Sequence, residues 1–101
     1  MTIGPAGTLT CENNRDLYIR GNLFNNGTIN TNDNVYFYGN SFINNGVVTN
    51  CAFVMGQNGY NQYLSGSGVF SKTRLFINGG TVFLSDINCI NGTYVSAAGG
   101  L

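Results

Sequence analysis

The sequence contains no histidine and no tryptophan, and it has a single proline. Without histidine the usual general base, the Ser and Cys triads and most transition-metal sites are excluded as readings. A thiol nucleophile would lack its imidazole partner. Charge is nearly as scarce. Only 8% of the 101 residues are charged, four basic and four acidic, for a net charge of zero. An ordinary soluble domain carries about 25%. No basic patch exists, which argues against nucleic acid as a partner. A free monomer with so little charge tends to associate. No apolar run approaches the ~18–20 residues of a membrane span, so none is expected. Nor is a leader visible: Met1 runs into Thr2, Ile3, Gly4 and Pro5 without a charged start or an apolar stretch. Removal of a signal and export by another route both stay open.

What is present is a core and many turns. Apolar residues make up 43% and aromatics 13%. The polar remainder is mostly Asn, Gly, Ser and Thr, which turn and hydrogen-bond without charge. The length implies one domain, residues 1–101, with a small core that needs regular packing, cross-links or partners.

An internal repeat organises the chain. Residues 17–32, LYIRGNLFNNGTINTN, match residues 35–50, VYFYGNSFINNGVVTN, once Ile43 is treated as an insertion. Tyr18 then matches Tyr36, Phe24 matches Phe42, and Asn25-Asn26-Gly27 matches Asn44-Asn45-Gly46. Gly7-Thr8-Leu9-Thr10 resembles Gly27-Thr28-Ile29-Asn30, and Phe53-Val54-Met55-Gly56 resembles Tyr36-Phe37-Tyr38-Gly39. Gly68-Val69-Phe70-Ser71 and Gly80-Thr81-Val82-Phe83 fill the second slot of later copies, and residues 57–67 read as a longer loop. Each copy is strand, Gly-Asn turn, strand, Asn-Gly turn, strand, and no window holds a helical period. About five copies of 18–20 residues predict an all-β parallel β-solenoid, in which each unit buries its apolar face on the next. Ladders of Tyr18 over Tyr36 and Phe24 over Phe42 are expected, with asparagines bonding along the stack. The alternative is an antiparallel β-sandwich or jelly roll, because Asn-Gly is also a strong hairpin signal.

The segments 21–29, GNLFNNGTI, and 39–48, GNSFINNGVV, resemble the repeats of filamentous-haemagglutinin-type adhesins. The resemblance implies a right-handed parallel β-helix in a bacterial surface setting, and it transfers no active site.

Candidate chemistry is sparse, and no cofactor is expected. Asp33, in Thr31-Asn32-Asp33-Asn34, reads as a turn residue rather than a cation ligand, because the dense Asp spacing of a calcium loop is missing. Asp86 with Lys72 and Arg74 reads as a solvated or paired set rather than a polysaccharide-cleaving groove. Asn26-Gly27-Thr28 and Asn91-Gly92-Thr93 fit the glycosylation pattern by chance in so Asn-rich a chain. Cys11, Cys51 and Cys89 follow one another at nearly even intervals, each close to the length of two repeats. That spacing places all three at one corner on alternate rungs, too far apart to bond within a chain. Between stacked chains Cys89 would approach Cys11 for an intermolecular disulfide, with Cys51 a free, buried thiol. The alternative is that all three are small buried apolar residues.

The expected function is therefore structural: rungs of identical chains stack into an extracellular fibre, sheath or surface layer, with a second copy of the chain as the partner. A second reading is a glycan- or surface-binding module of an adhesin or virion fibre, with Tyr38, Tyr60 and Tyr63 stacking on sugar rings. An ice-binding solenoid lacks its regular Thr array, and an enzyme fits least.

Overall fold

The computed structural model describes residues 1–11, 16–56, 61–78, 80–85, 88–90 and 94–97. It is a parallel β-solenoid. The first layer holds β1 (Thr2–Ile3), β2 (Thr8–Leu9) and β3 (Leu17–Ile19). The second holds β4 (Leu23–Asn25), β5 (Thr28–Asn30) and β6 (Asn34–Phe37), and the third β7 (Ser41–Asn44), β8 (Val47–Thr49) and β9 (Ala52–Met55). The fourth holds β10 (Asn61–Ser65), β11 (Val69–Ser71) and β12 (Arg74–Ile77), and the fifth β13 (Thr81–Leu84), β14 (Asn88–Ile90) and β15 (Tyr94–Ala97). Three five-stranded sheets result, β1-β4-β7-β10-β13, β2-β5-β8-β11-β14 and β3-β6-β9-β12-β15. About four turns of the coil separate the first layer from the last. Every pairing among the described residues is parallel, which sets the hairpin alternative aside. Among the described residues no helix is long and apolar enough to cross a membrane.

The strands form because alternate residues are apolar and inward. Their side chains stack into columns, since each layer repeats the same register. One column runs Leu23–Phe42–Leu64–Leu84 in the first sheet, and another runs Leu9–Ile29–Val48–Phe70–Cys89 in the second. In the third sheet Val35, Phe53 and Leu75 stack, beside Phe37 and Met55. Phe42 and Phe53 meet across the interior at 4.7 Å between ring centres, and Phe37 and Phe70 pack on Phe42 at 6.0 and 6.1 Å. Each fully buried Phe contributes roughly 1.5–3 kcal/mol from the apolar area it removes from water.

The register sharpens the repeat and corrects parts of it. Tyr18 stands over Tyr36, and Thr8 over Thr28, as the sequence implies. Phe42 stands over Leu23, however, and Phe24 over Ile43. The extra residue of the third layer falls before Phe42, because Leu23 and Phe42 are buried while Phe24 faces solvent. Phe53 stands over Val35 rather than Tyr36 for the same reason. Residues 61–65 are strand rather than loop: Gln62 and Leu64 point inward between exposed Asn61 and Tyr63. Thr81–Leu84 pairs with β10 in the first sheet, so it opens the fifth layer instead of filling a second slot. The step from one layer to the next is not constant. It is short from Leu17 to Val35 and long from Val47 to Val69.

Three corner chemistries turn the coil. Between the first and second sheets a glycine column, Gly7, Gly27, Gly46 and Gly68, lets backbones touch. Val47 N donates to Gly27 O at 2.9 Å and Val69 N to Gly46 O at 2.8 Å. Between the second and third sheets the chain turns through positive φ at Asn32, Asn50 and Lys72, a conformation asparagine tolerates better than most residues. Asp33 lies in this corner and accepts from the Asn34 N–H at 2.9 Å, the role of a turn residue. Between the third sheet and the next layer, Asn22 Oδ1 accepts from both Asn40 N and Ser41 N, at 3.0 and 3.1 Å.

Candidate functional site

Two surfaces carry more apolar area than a solvated β-coil needs. One is the open edge of the fifth layer, and the other is the outer face of the third sheet.

Among the described residues, nothing covers the inward columns at the fifth layer. Leu84 is 48% exposed, whereas Leu64, its stacked equivalent one layer below, is 1% exposed. Cys89 is exposed over Phe70, which is buried. Phe83 is exposed beside them and stacks on Tyr63 at 5.2 Å between ring centres. At the first layer Met1 lies over Leu23 by extension of the register, and it is also exposed.

On the outer face of the third sheet the rings of Tyr18 and Tyr36 stack at 5.0 Å, 12° from parallel, with Tyr38 at 6.2 Å from Tyr18. Arg20 lies 5.1 Å from the centre of the Tyr38 ring, a cation–π contact. Arg74 lies 4.6 Å from the centre of the Phe76 ring in the fourth layer. Between Tyr36 and Phe76 the column holds only Val54.

The tyrosines singled out from sequence are not gathered into one array. Tyr38 belongs to the third-sheet face, Tyr63 belongs to the first-sheet face, and Tyr60 lies outside the described residues. The sequence places Tyr36 in a ladder with Tyr18 but singles out neither Tyr36 nor Phe76 as a site residue. Their alternation with Val35, Phe37, Leu75 and Ile77 was the available signal.

The charged residues converge elsewhere. Asp33, Lys72 and Arg74 line an open groove of about 580 Å³ at the corner between the second and third sheets, with Asn32, Asn50 and Thr73. Asp86 and Asn91-Gly92-Thr93 lie outside the described residues, and Asn26-Gly27-Thr28 forms the corner into β5.

Cys11 and Cys51 do share a corner, two layers apart. Cys89 does not. It sits inside β14 opposite Phe70, short of that corner. The two steps from Val47 to Val69 and on to Asn88 are together longer than the interval from Cys51 to Cys89. All three cysteines are free thiols. Cys51 occupies a buried corner column with Thr31 and Thr73, and its sulfur lies 3.9 Å from Thr73 Oγ1. Burial pushes its thiol up to about 11 from an ordinary value near 9.0, against the opposing effect of hydrogen bonds from Thr73 and Thr31. Burial raises Cys11 and Cys89 as well.

Two results follow for Cys51. At pH 8 an alkylating reagent is expected to label Cys89 in the folded, unassembled chain and to reach Cys51 only on unfolding, as peptide mass mapping would read. The second result concerns stability. Because the folded pKa of Cys51 is raised, its thiol favours the native state fully below the unfolded pKa of 9.0. That favour is lost as pH climbs to about 11. The loss is about 2–3 kcal/mol by linkage. Cys51→Ala should flatten this alkaline limb in melts between those pH values, and an unchanged limb would remove the assignment.

Comparison of the chain with protein-family models, curated proteins and solved structures finds no match.

Proposed function

We propose that the chain is a non-enzymatic structural module that grows by end-to-end stacking of β layers, as the subunit of an extracellular fibre, sheath or surface layer. The observation that carries this reading is the uncovered fifth layer, where Leu84 is exposed on a column whose lower members are buried. A further layer in the same register covers it. The first layer of a second copy supplies one: Met1 then stands over Leu84, Leu9 over Cys89, and the β1 to β3 edges bond to β13 to β15. Unpaired parallel edges template such pairing. The near absence of charge lowers the repulsion between copies. The likeness of residues 21–29 and 39–48 to surface-adhesin repeats supports the extracellular setting.

The same register removes the need for a disulfide. Cys89 meets Leu9, and Cys11 lies two residues further along the strand and one layer away. Strand rise and layer spacing put those Cα atoms about 8 Å apart, beyond the range of about 4.4–6.8 Å for a bridge. Filaments are therefore expected to survive a thiol reductant.

Electron microscopy and sedimentation of the purified chain at neutral pH test the reading. The expected result is filaments whose mass rises with protein concentration, and loss of filaments in Leu84→Lys with an unchanged circular dichroism spectrum. A chain that stays monomeric across the accessible concentration range would end it.

A further inference from the structure

The outward column of the third sheet is an aromatic ladder with one rung missing. It runs Tyr18, Tyr36, Val54 and Phe76 through four consecutive layers. Where two rings are adjacent they stack at 5.0 Å. Tyr36 and Phe76 are two layers apart, about 9.6 Å along the axis from the strand spacing. The gap between them has the thickness of one ring. Val54 forms its floor: it points outward, is only 8% exposed and lines the groove with both rings. Val54 also stands apart from the core cluster that holds its neighbours Phe53 and Met55.

The rim is polar. Asn34, Asn78 and Arg74 line this groove of about 340 Å³ together with Tyr36, Val54 and Phe76. A purely aromatic guest would use the two ring faces and give the amides and the guanidinium no part in binding. A pyranose ring uses both. Its C–H faces pack on the aromatic walls, and its hydroxyls meet amides that donate and accept and a guanidinium that donates.

We propose that the slot between Tyr36 and Phe76, floored by Val54, binds a single hexopyranose unit of a neutral polysaccharide. The site is separate from the layer edges, so it does not depend on axial stacking, and Leu84→Lys should bind sugar as the parent chain does.

The test is an NMR titration of the full chain with cellohexaose, maltohexaose and chitohexaose. At least one is expected to shift the Val54 methyl and Tyr36 ring signals saturably at millimolar concentration or below. Val54→Phe supplies the missing ring and is expected to weaken binding at least tenfold without lowering the melting temperature. Tyr36→Ala and Phe76→Ala remove a wall and are expected to weaken it comparably, which keeps the test decisive should Val54→Phe fold poorly. Tyr63→Ala, on the first sheet, should change nothing. The proposal is overturned if none of the three sugars binds, if Val54→Phe folds and binds as tightly as the parent, or if phenol fills the slot while every sugar fails.

Discussion

Gly46→Ala is expected to destabilise the coil by about 3 kcal/mol or more, through over-packing and strain at a backbone contact. In a domain of this size that lowers the melting temperature by roughly 10–20 °C. The reason is space. A methyl group at position 46 would sit 2.0 Å from Gly27 O and 2.9 Å from the Asn26 and Gly27 carbonyl carbons. Those atoms are backbone and cannot swing away. Relief requires the second and third layers to part, and that breaks Val47 N→Gly27 O at 2.9 Å and Gly46 N→Asn25 O at 3.0 Å. Conformational freedom is not the issue, since the described glycines with positive φ are Gly56 and Gly66. Gly21 provides the control. A methyl there meets nothing within 4 Å, so Gly21→Ala should stay within about 0.5 kcal/mol of the parent. Thermal melts followed by circular dichroism compare the two directly. Equal melting temperatures would mean that the glycine column is not a contact surface.

This column explains why the turns were read correctly in place and wrongly in kind. Asn26-Gly27 and Asn45-Gly46 mark real corners, but the tight hairpin they also signal needs positive φ at both residues. Neither pair has it. The glycine is there because the preceding layer lies against it, and that pressure comes from a segment one full coil away in sequence. Sequence periodicity carried the solenoid and most of the register, since Tyr18 with Tyr36 and Thr8 with Thr28 repeat in type as well as position. It failed where type and position disagree. Phe24 and Phe42 share a letter but face opposite sides, and only the burial of Leu23 reveals the slip. Residues 61–65 looked like loop because Asn61, Gln62 and Ser65 are polar. The inward polar residue is satisfied by backbone: Gln62 Nε2 donates to Phe37 O and Gly39 O, both at 2.9 Å, and Oε1 accepts from Gly56 N. The cysteines failed for the same reason as the phenylalanines. Their even spacing in sequence is not even in layers, because the length of a coil changes along the stack. The candidate sugar slot was invisible because it consists of an absence, a valine in an aromatic column, and a column exists only once the register is known.

Asn44→Ala is expected to cost about 3 kcal/mol, and the loss should be strongly coupled to Asn25. Both side chains are inside the coil, 0% and 1% exposed, where an unpaired polar group costs about 1–3 kcal/mol. Asn25 Nδ2 donates to Asn44 Oδ1 at 2.8 Å and to Val47 O at 3.2 Å, while its Oδ1 accepts from Gly27 N at 3.0 Å. Asn44 Nδ2 continues the series to Val69 O at 3.3 Å. Each amide thus ties its own layer to the one above, at the corner where the glycine column brings the backbones together. The series stops at the fourth layer, where Gly66 lies so close over Asn44 that a methyl there would meet Asn44 O at 2.2 Å. Truncating Asn44 orphans an N–H of Asn25 and removes a donor from the Val69 carbonyl. Truncating Asn25 takes their partner from Asn44 Oδ1 and Gly27 N and removes a donor from Val47 O. The double variant removes the shared bond once, so its loss should fall short of the sum by about 1–2 kcal/mol. Asn44→Asp separates the hydrogen bond from packing. As a neutral acid it accepts from Asn25 and donates its O–H to Val69 O. As a carboxylate it faces that carbonyl with a second acceptor in a buried site, so its folded pKa rises above the unfolded value of about 3.9. Stability of this variant is then fully present below that unfolded value and falls as pH rises through the folded one, a dependence the parent lacks at this position. Urea melts of the four-member cycle and of Asn44→Asp across pH decide the matter. Additive single losses, or an Asn44→Asp melt that does not move with pH, would show that the two amides are packing units and not a ladder.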